Sequence, residues 1–205
     1  MVNEPVGQIA EKLRARYGMD FDKLKEEKID GRIYLMARPN RRHIRIQGNI
    51  ARIFGNYFSQ RGKKCEALIE DMLYLENGDY MEPDVMVFCY EDGRENKEEV
   101  PVIVIEVLSK SSRKRDLGVK MIKYAFLGIR EYWVVDQYGS ALDVYVLDNG
   151  RYRLEITCGV DTDSEEEPVK LFIDQLEEKD LVPEFVSEMF DGLTVKAEDV
   201  FYSVI

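Results

Sequence analysis

The chain has 205 residues, 45% of them apolar and 11% aromatic, which is enough for a substantial core in one domain with room for an appended segment. No apolar stretch approaches the roughly 20 residues needed to cross a bilayer, and Met1-Val2-Asn3-Glu4-Pro5 has neither the basic head nor the apolar core of an export signal, so the cytoplasm is the expected location, with no membrane partner. The net charge of -11 argues against a nucleic-acid partner only until it is located: residues 161 to 199 hold 14 acidic side chains against Lys170, Lys179 and Lys196, and the rest of the chain is balanced at 26 basic and 26 acidic.

In chain order, Ile9, Leu13 and Tyr17 form one stripe of an amphipathic helix near residues 5 to 17, ended by Gly18. Asp30-Gly31 then reads as a hairpin turn between Glu27 to Ile29 and a strand Arg32 to Ala37. Asn40 suits the N-cap of a long helix ending near Gly62, with Ile44, Ala51, Phe54, Tyr57 and Phe58 at helical spacing. Strands follow near 65 to 70, 72 to 76 and 84 to 90, and the charged stretch Glu91 to Glu99 reads as an exposed loop. Next comes a strand Val102 to Leu108, a helix from about Ser112 to Leu127 stopped by Gly128, and a strand Tyr132 to Asp136, a crossover unit whose strands should be parallel. Strands Leu142 to Leu147 and Tyr152 to Thr157 are joined by the turn Asp148-Asn149-Gly150. The acidic Asp161 to Glu167 stretch reads as a loop. Cys65, Cys89 and Cys158 are odd in number, far apart and without CxxC spacing, so reduced structural thiols and no zinc are expected.

Two carboxylates stand out. Glu106 lies alone inside the apolar run Val102 to Leu108, and Asp84 follows Pro83 at the head of the run Val85 to Phe88. Such runs read as strands covered on both faces. An unpaired ionised carboxylate there costs several kcal/mol or more, roughly, unless hydrogen bonds, a cation or a metal answer it. Two converging acids suggest a divalent-metal site. Two basic groups, Arg38, Arg41, Arg42, Arg45 and Arg52, and Lys110, Arg113, Lys114 and Arg115, are either solvated helix ends or phosphate contacts.

The succession Glu82-Pro83-Asp84, Ile105-Glu106-Val107-Leu108-Ser109, Asp116 to Lys120 and Glu131-Tyr132-Trp133-Val134-Val135-Asp136 resembles the Uma2 family of restriction-endonuclease-like proteins in the PD-(D/E)xK nuclease superfamily. The resemblance runs from about Lys25 to Asp148. It implies an α/β fold, a restriction-endonuclease-like mixed β-sheet flanked by helices over residues 1–160, with residues 161–205 as an acidic C-terminal extension packed on or near it. It also implies a metal-dependent endonuclease on DNA or a related polynucleotide, with Mg²⁺ or Mn²⁺ held by Asp84 and Glu106. The superfamily's commonest lysine position is Leu108 here. The family is identified by a lysine moved to the following helix, which matches Lys120, at the border between the apolar face and a polar strip of Asp116 and Lys123; Lys110 and Lys123 are its alternates.

The same resemblance suggests Glu27 as a third metal ligand and His43, which shares a helix face with Gln47, as a phosphate or structural contact. Arg42, Lys110, Arg113 and Lys114 are the further candidates for substrate binding. Tyr124, Tyr132 and Trp133 read as packing residues, Tyr124 with its hydroxyl at the site edge, and Asp136 as a turn cap. Cleaving both strands of a duplex takes two sites, which favours a homodimer. The alternative class is a non-catalytic interaction module that keeps the fold. The acidic segment also offers itself as a phosphate mimic covering the basic surface, in which case removing residues 161 to 205 should raise polynucleotide affinity.

Overall fold

A computed structural model describes residues 16, 25–36, 38–90, 100–160 and 181–204. The expected first helix, apart from Arg16, the 91 to 99 loop and the Asp161 to Glu167 loop lie outside the described residues.

A seven-stranded mixed sheet organises the fold. Its order is β11-β10-β9-β8-β7-β6-β3, where β3 is Cys65–Ile69, β6 Val85–Cys89, β7 Ile103–Leu108, β8 Glu131–Asp136, β9 Ala141–Asp148, β10 Arg151–Gly159 and β11 Leu181–Val182. The crossover pair β7 and β8 is parallel, as the strand-helix-strand pattern requires, and the other central neighbours are antiparallel. A smaller sheet of order β2-β1-β5-β4 joins β1 (Lys25–Ile29), β2 (Arg32–Met36), β4 (Leu73–Tyr74) and β5 (Tyr80–Met81). The Asp30-Gly31 turn closes β1 onto β2, with both residues at positive φ and both backbone N–H groups donating to the Asp79 carboxylate. The third sheet is the hairpin β12 (Glu184–Val186) and β13 (Thr194–Lys196).

Two cores pack on the two faces of the large sheet, because the strands alternate their side chains between them. One core sets helix α1 (Arg41–Arg61) through Ile46, Ile50, Phe54 and Phe58 against Val85, Ile105, Val107 and Trp133. Asn40 caps α1 by accepting from the His43 N–H, and Gly62 in the left-handed region ends it. The other core places Ile29, Met81 and Tyr124 against Met86, Val104, Leu108 and Tyr132.

Residues 181–204 supply Phe185, Phe190, Leu193, Val195, Val200 and Phe201 to the α1 core, and Phe190 stacks edge-on against Phe58. Removing residues 161 to 205 therefore strips the core, and this truncation is not a clean test of whether an acidic cover blocks a binding surface. A second correction concerns the thiols: Cys65 and Cys89 form a disulfide, and Cys158 alone is free. The register of β3 on β6 puts the two cysteines directly opposite each other, their Cα atoms 4.1 Å apart. Sequence spacing carries no information about that register.

Candidate active site

The two acids singled out by the sequence lie side by side. The β6–β7 register pairs Val85 with Ile105, so one step further out Asp84 stands opposite Glu106. They line a cleft of about 140 Å³ together with Lys120, Asp116, His43 and Gln137.

Asp84 is held by three donors. Its Oδ1 meets His43 Nε2 at 2.8 Å and accepts from Gln47 Nε2 at 3.0 Å; its Oδ2 accepts from the Val107 N–H at 2.6 Å. His43 and Gln47 reach it because they stand four residues apart on α1, hence on one helix face. Glu106 is held through Oε1, which accepts from the Tyr124 hydroxyl at 2.6 Å and lies 2.6 Å from the Lys120 ammonium. The same ammonium sits 2.7 Å from Glu27 Oε1 and 3.5 Å from Asp116 Oδ1.

The helix that carries Lys120 has an irregularity. Between α2 (Arg113–Arg115) and α3 (Met121–Phe126) the residues Asp116–Lys120 form a π-helical turn. One extra residue in the turn rotates the start of the helix relative to a regular 100° progression, and such turns recur at functional sites. Asp116, assigned by regular spacing to an outer polar strip with Lys123, is buried at 1% exposure beside the equally buried Lys120. Lys123 does face outward and pairs with Asp30.

Three carboxylates thus gather around one ammonium, with Arg115 3.9 Å from Glu27 as the next cation. Burial pushes Glu106 well above the usual carboxylate range; Lys120 opposes the rise, and Asp116, Asp84 and Glu27 add to it. Burial raises Asp116 as well, again against Lys120. For Lys120, burial works to lower the ammonium, but Glu106, Asp116 and Glu27 outweigh it and hold the group well above its ordinary value. Burial and the Glu106 charge likewise raise Tyr124.

Of the remaining sequence candidates, Glu27 joins the Lys120 cluster and the basic ones stand apart from the cleft. Glu27 is fully buried, outside the cleft lining, and also accepts from the Glu82 N–H. No group of three or more His, Cys, Asp or Glu side chains among the described residues has the arrangement of a metal cage. Lys110 and Lys114 are exposed, Arg113 is half-buried with its guanidinium 4.0 Å from Asp136, and Arg42 is half-buried; none of the four lines the cleft. Asp136 caps a turn by accepting from the Tyr138 and Gly139 N–H groups. Sequence reasoning missed Asp116, Gln137 and Lys25 at the cleft, and it left Arg38 open between a solvated helix end and a phosphate contact. A carboxylate four residues before the site lysine was the one signal present, and the π turn concealed its direction.

Relatives agree with the fold. Among solved structures, the chain superposes on the crystal structure of a putative nuclease belonging to DUF820 from Anabaena variabilis with a TM-score of 0.65, covering 94% of this chain and 98% of that one at 18% identity, a likeness of fold. An uncharacterized Synechocystis protein is 30% identical over 126 residues, which span 59% of this chain and 65%, just under two thirds, of the relative. No helix among the described residues is long and apolar enough to cross a membrane. The family model described as "Putative restriction endonuclease" matches residues 10–177, and the chain belongs to that family, Uma2.

Proposed function

We propose that the chain is a divalent-cation-dependent endonuclease hydrolysing phosphodiester bonds in DNA or a related polynucleotide. The observation that carries this reading is the pair Asp84 and Glu106, opposite each other on adjacent strands at one cleft, with the Lys120 ammonium 2.6 Å from Glu106. The donor set fits Mg²⁺ or Mn²⁺. Both acids offer hard oxygens, the cleft has room for the waters that such ions keep, and carboxylates outnumber the buried cations. When bound, the ion lowers the pKa of a water and neutralises charge developing on the phosphate.

The chain's own part is arrangement. His43, Gln47 and the Val107 N–H fix the Asp84 carboxylate, and Tyr124 fixes Glu106. Lys120, gripped by Glu27 and Glu106 with Asp116 3.5 Å away, lines the cleft where its ammonium would meet a phosphate oxygen or the attacking water. In this reading Glu27 anchors the lysine instead of completing the metal shell. Lys25 and Arg38 at the cleft meet the phosphate chain, with Arg42, Lys110, Arg113 and Lys114 serving flanking phosphates. A homodimer would supply the second site needed to cut a duplex through.

The test is cleavage of supercoiled plasmid and of single-stranded DNA with Mg²⁺ or Mn²⁺, run beside Asp84→Asn. Cutting by the parent and none by the variant is expected; equal rates overturn the reading. A second reading, a binding module without catalysis, is favoured by one observation: Leu108, buried, occupies the usual lysine position. That reading requires Mn²⁺ binding to be indifferent to Asp84→Asn and Glu106→Gln.

A further inference from the structure

One edge of the large sheet, β11, is only Leu181–Val182; the other is the full strand β3, and little blunts it. The Glu70 N–H donates to the Asp84 carbonyl at 3.2 Å and the Tyr90 N–H to the Lys64 carbonyl at 2.8 Å, so the even-numbered residues of β3 turn their backbone groups to β6. In an antiparallel ladder that direction alternates. Cys65, Ala67 and Ile69 therefore present their N–H and C=O groups away from the sheet, and among the described residues no strand pairs with that side. Proteins commonly guard such an edge with proline, lysine or a bulge. β3 has none of these, its one charged residue, Glu66, is taken up by the Tyr90 hydroxyl, and Ile69 is 43% exposed.

Helix α1 runs beside this edge with small residues toward it. Ala51, Gly55, Ser59 and Gly62 line an open groove with Cys65 and Ala67 of β3. Nothing in the chain requires Gly55 to lack a side chain, since a Cβ there meets no atom within 4 Å, and glycine weakens a helix interior. A second body seated beside the groove accounts for the bare backbone. Charge identifies that body. Lys63 and Lys64 precede β3, and Glu70 and Asp71 follow it, so two copies of the strand paired antiparallel bring the cationic end of each to the acidic end of the other. Glu70 already meets Lys25 at 2.8 Å, which leaves the exposed Asp71 to attract Lys63. The contrast is β2, the edge of the smaller sheet: Arg32 and Arg38 bracket it, and self-pairing there would set cation against cation.

We propose that two copies of the chain join antiparallel through β3 into one continuous sheet. The outward-facing residues set the register: Ala67 stands opposite the partner's Ala67 and Cys65 opposite the partner's Ile69, each pair exchanging both N–H···O bonds. A two-fold axis perpendicular to the sheet keeps like faces together, so the two α1 helices lie side by side over the joint with their small residues toward each other. No residue of β3 lines the cleft, so both clefts stay open, and the assembly carries the pair of sites that cutting a duplex through takes. The interface is read from the edge itself and stands or falls apart from the endonuclease reading.

The experiment is sedimentation equilibrium of the full chain at low salt, over a dilution series reaching roughly 100 μM. The parent is expected to be a dimer. Lys63→Asp sets acid against acid and Asp71→Lys base against base, each twice per dimer by symmetry, so either variant alone should raise the dissociation constant at least about tenfold. An equal mixture of the two variants restores both attractions and should dimerise as the parent does. Ala67→Pro, whose lost N–H faces away from β6, should leave a monomer. A parent that is monomeric throughout overturns the proposal, and so does a dimer indifferent to both charge variants, or a mixture that stays as weak as its components. Because both charged residues are exposed, this cycle does not depend on whether Ala67→Pro folds. Plasmid cleavage by a monomeric parent sinks the interface and leaves the endonuclease reading standing; a dimer with the predicted charge dependence and no cleavage does the reverse.

Discussion

Replacing Lys120 with methionine keeps the side chain's reach and removes its charge. The residue is 1% exposed and lies 2.6, 2.7 and 3.5 Å from Glu106, Glu27 and Asp116. Removing one partner of a buried ion pair costs about 3–5 kcal/mol. Here three carboxylates lose their shared partner, but Glu106 and Asp116 can retreat by taking up protons, which places the loss near the lower end. For a chain of this size about 3 kcal/mol lowers Tm by roughly 6–12 °C. The dependence on pH follows from the shifts. Glu106 and Asp116 titrate higher folded than unfolded, so their favourable contribution is complete below about pH 4, their unfolded range, and is lost as the pH rises through the folded values. Lys120 lowers both, so its removal widens that window. Its own contribution, from a raised ammonium, is present below about pH 10.4 and lost only above it. The difference in Tm between the two proteins should therefore be largest at pH 8 and shrink towards pH 5. Circular-dichroism melts across that range measure it. A difference under about 2 °C at pH 8, or one that does not change with pH, refutes the role of Lys120 as the common counter-charge.

Tyr124→Phe deletes the hydroxyl that donates to Glu106 and should cost about 1.5–3 kcal/mol in urea unfolding; a loss below 0.5 kcal/mol, roughly the noise of such series, contradicts the bond. Opening the Cys65–Cys89 bridge with reductant or by paired serine substitution releases a closed stretch with a sequence separation of 24, worth about 3–4 kcal/mol, and should lower Tm; thiol titration of the unfolded oxidised protein should find one free cysteine, and three would contradict the bridge. Asp143 is held above the usual carboxylate range by burial, with the Thr157 hydroxyl opposing, so its contribution fades as pH rises through the folded value. Asp143→Asn should accordingly leave stability at pH 8 unchanged or up to about 1 kcal/mol higher, and a loss beyond 2 kcal/mol, roughly a buried hydrogen bond, counts against it. A chain ended before Leu181 loses Phe185, Phe190, Val195 and Phe201 from the core and should show no cooperative melt.

The sequence revealed those features that depend on neighbours within about one element. Asn40 and Gly62 mark α1 through local capping, Asp30-Gly31 and Asp148-Asn149-Gly150 mark turns, and the two acids that interrupt or head the apolar runs, Glu106 and Asp84, do line one cleft. What it concealed depends on long-range register or on a break in period. Cys65 meets Cys89 only because β3 and β6 align residue for residue. Glu27 reaches Lys120 across two elements far apart in the chain. Asp116 turns inward because five residues, not four, fill its helical turn, and no propensity encodes that. The C-terminal stretch was read through its charge, whereas Phe185, Val195 and Ala197 alternate with exposed residues and enter the core.

The central claim, that Asp84 and Glu106 together hold a hard divalent ion, is tested most directly by calorimetric titration of Mn²⁺ into the parent and into Asp84→Asn and Glu106→Gln. Each isosteric variant should lose at least about tenfold in affinity at the shared site. Affinity unchanged in both folded variants would contradict the account.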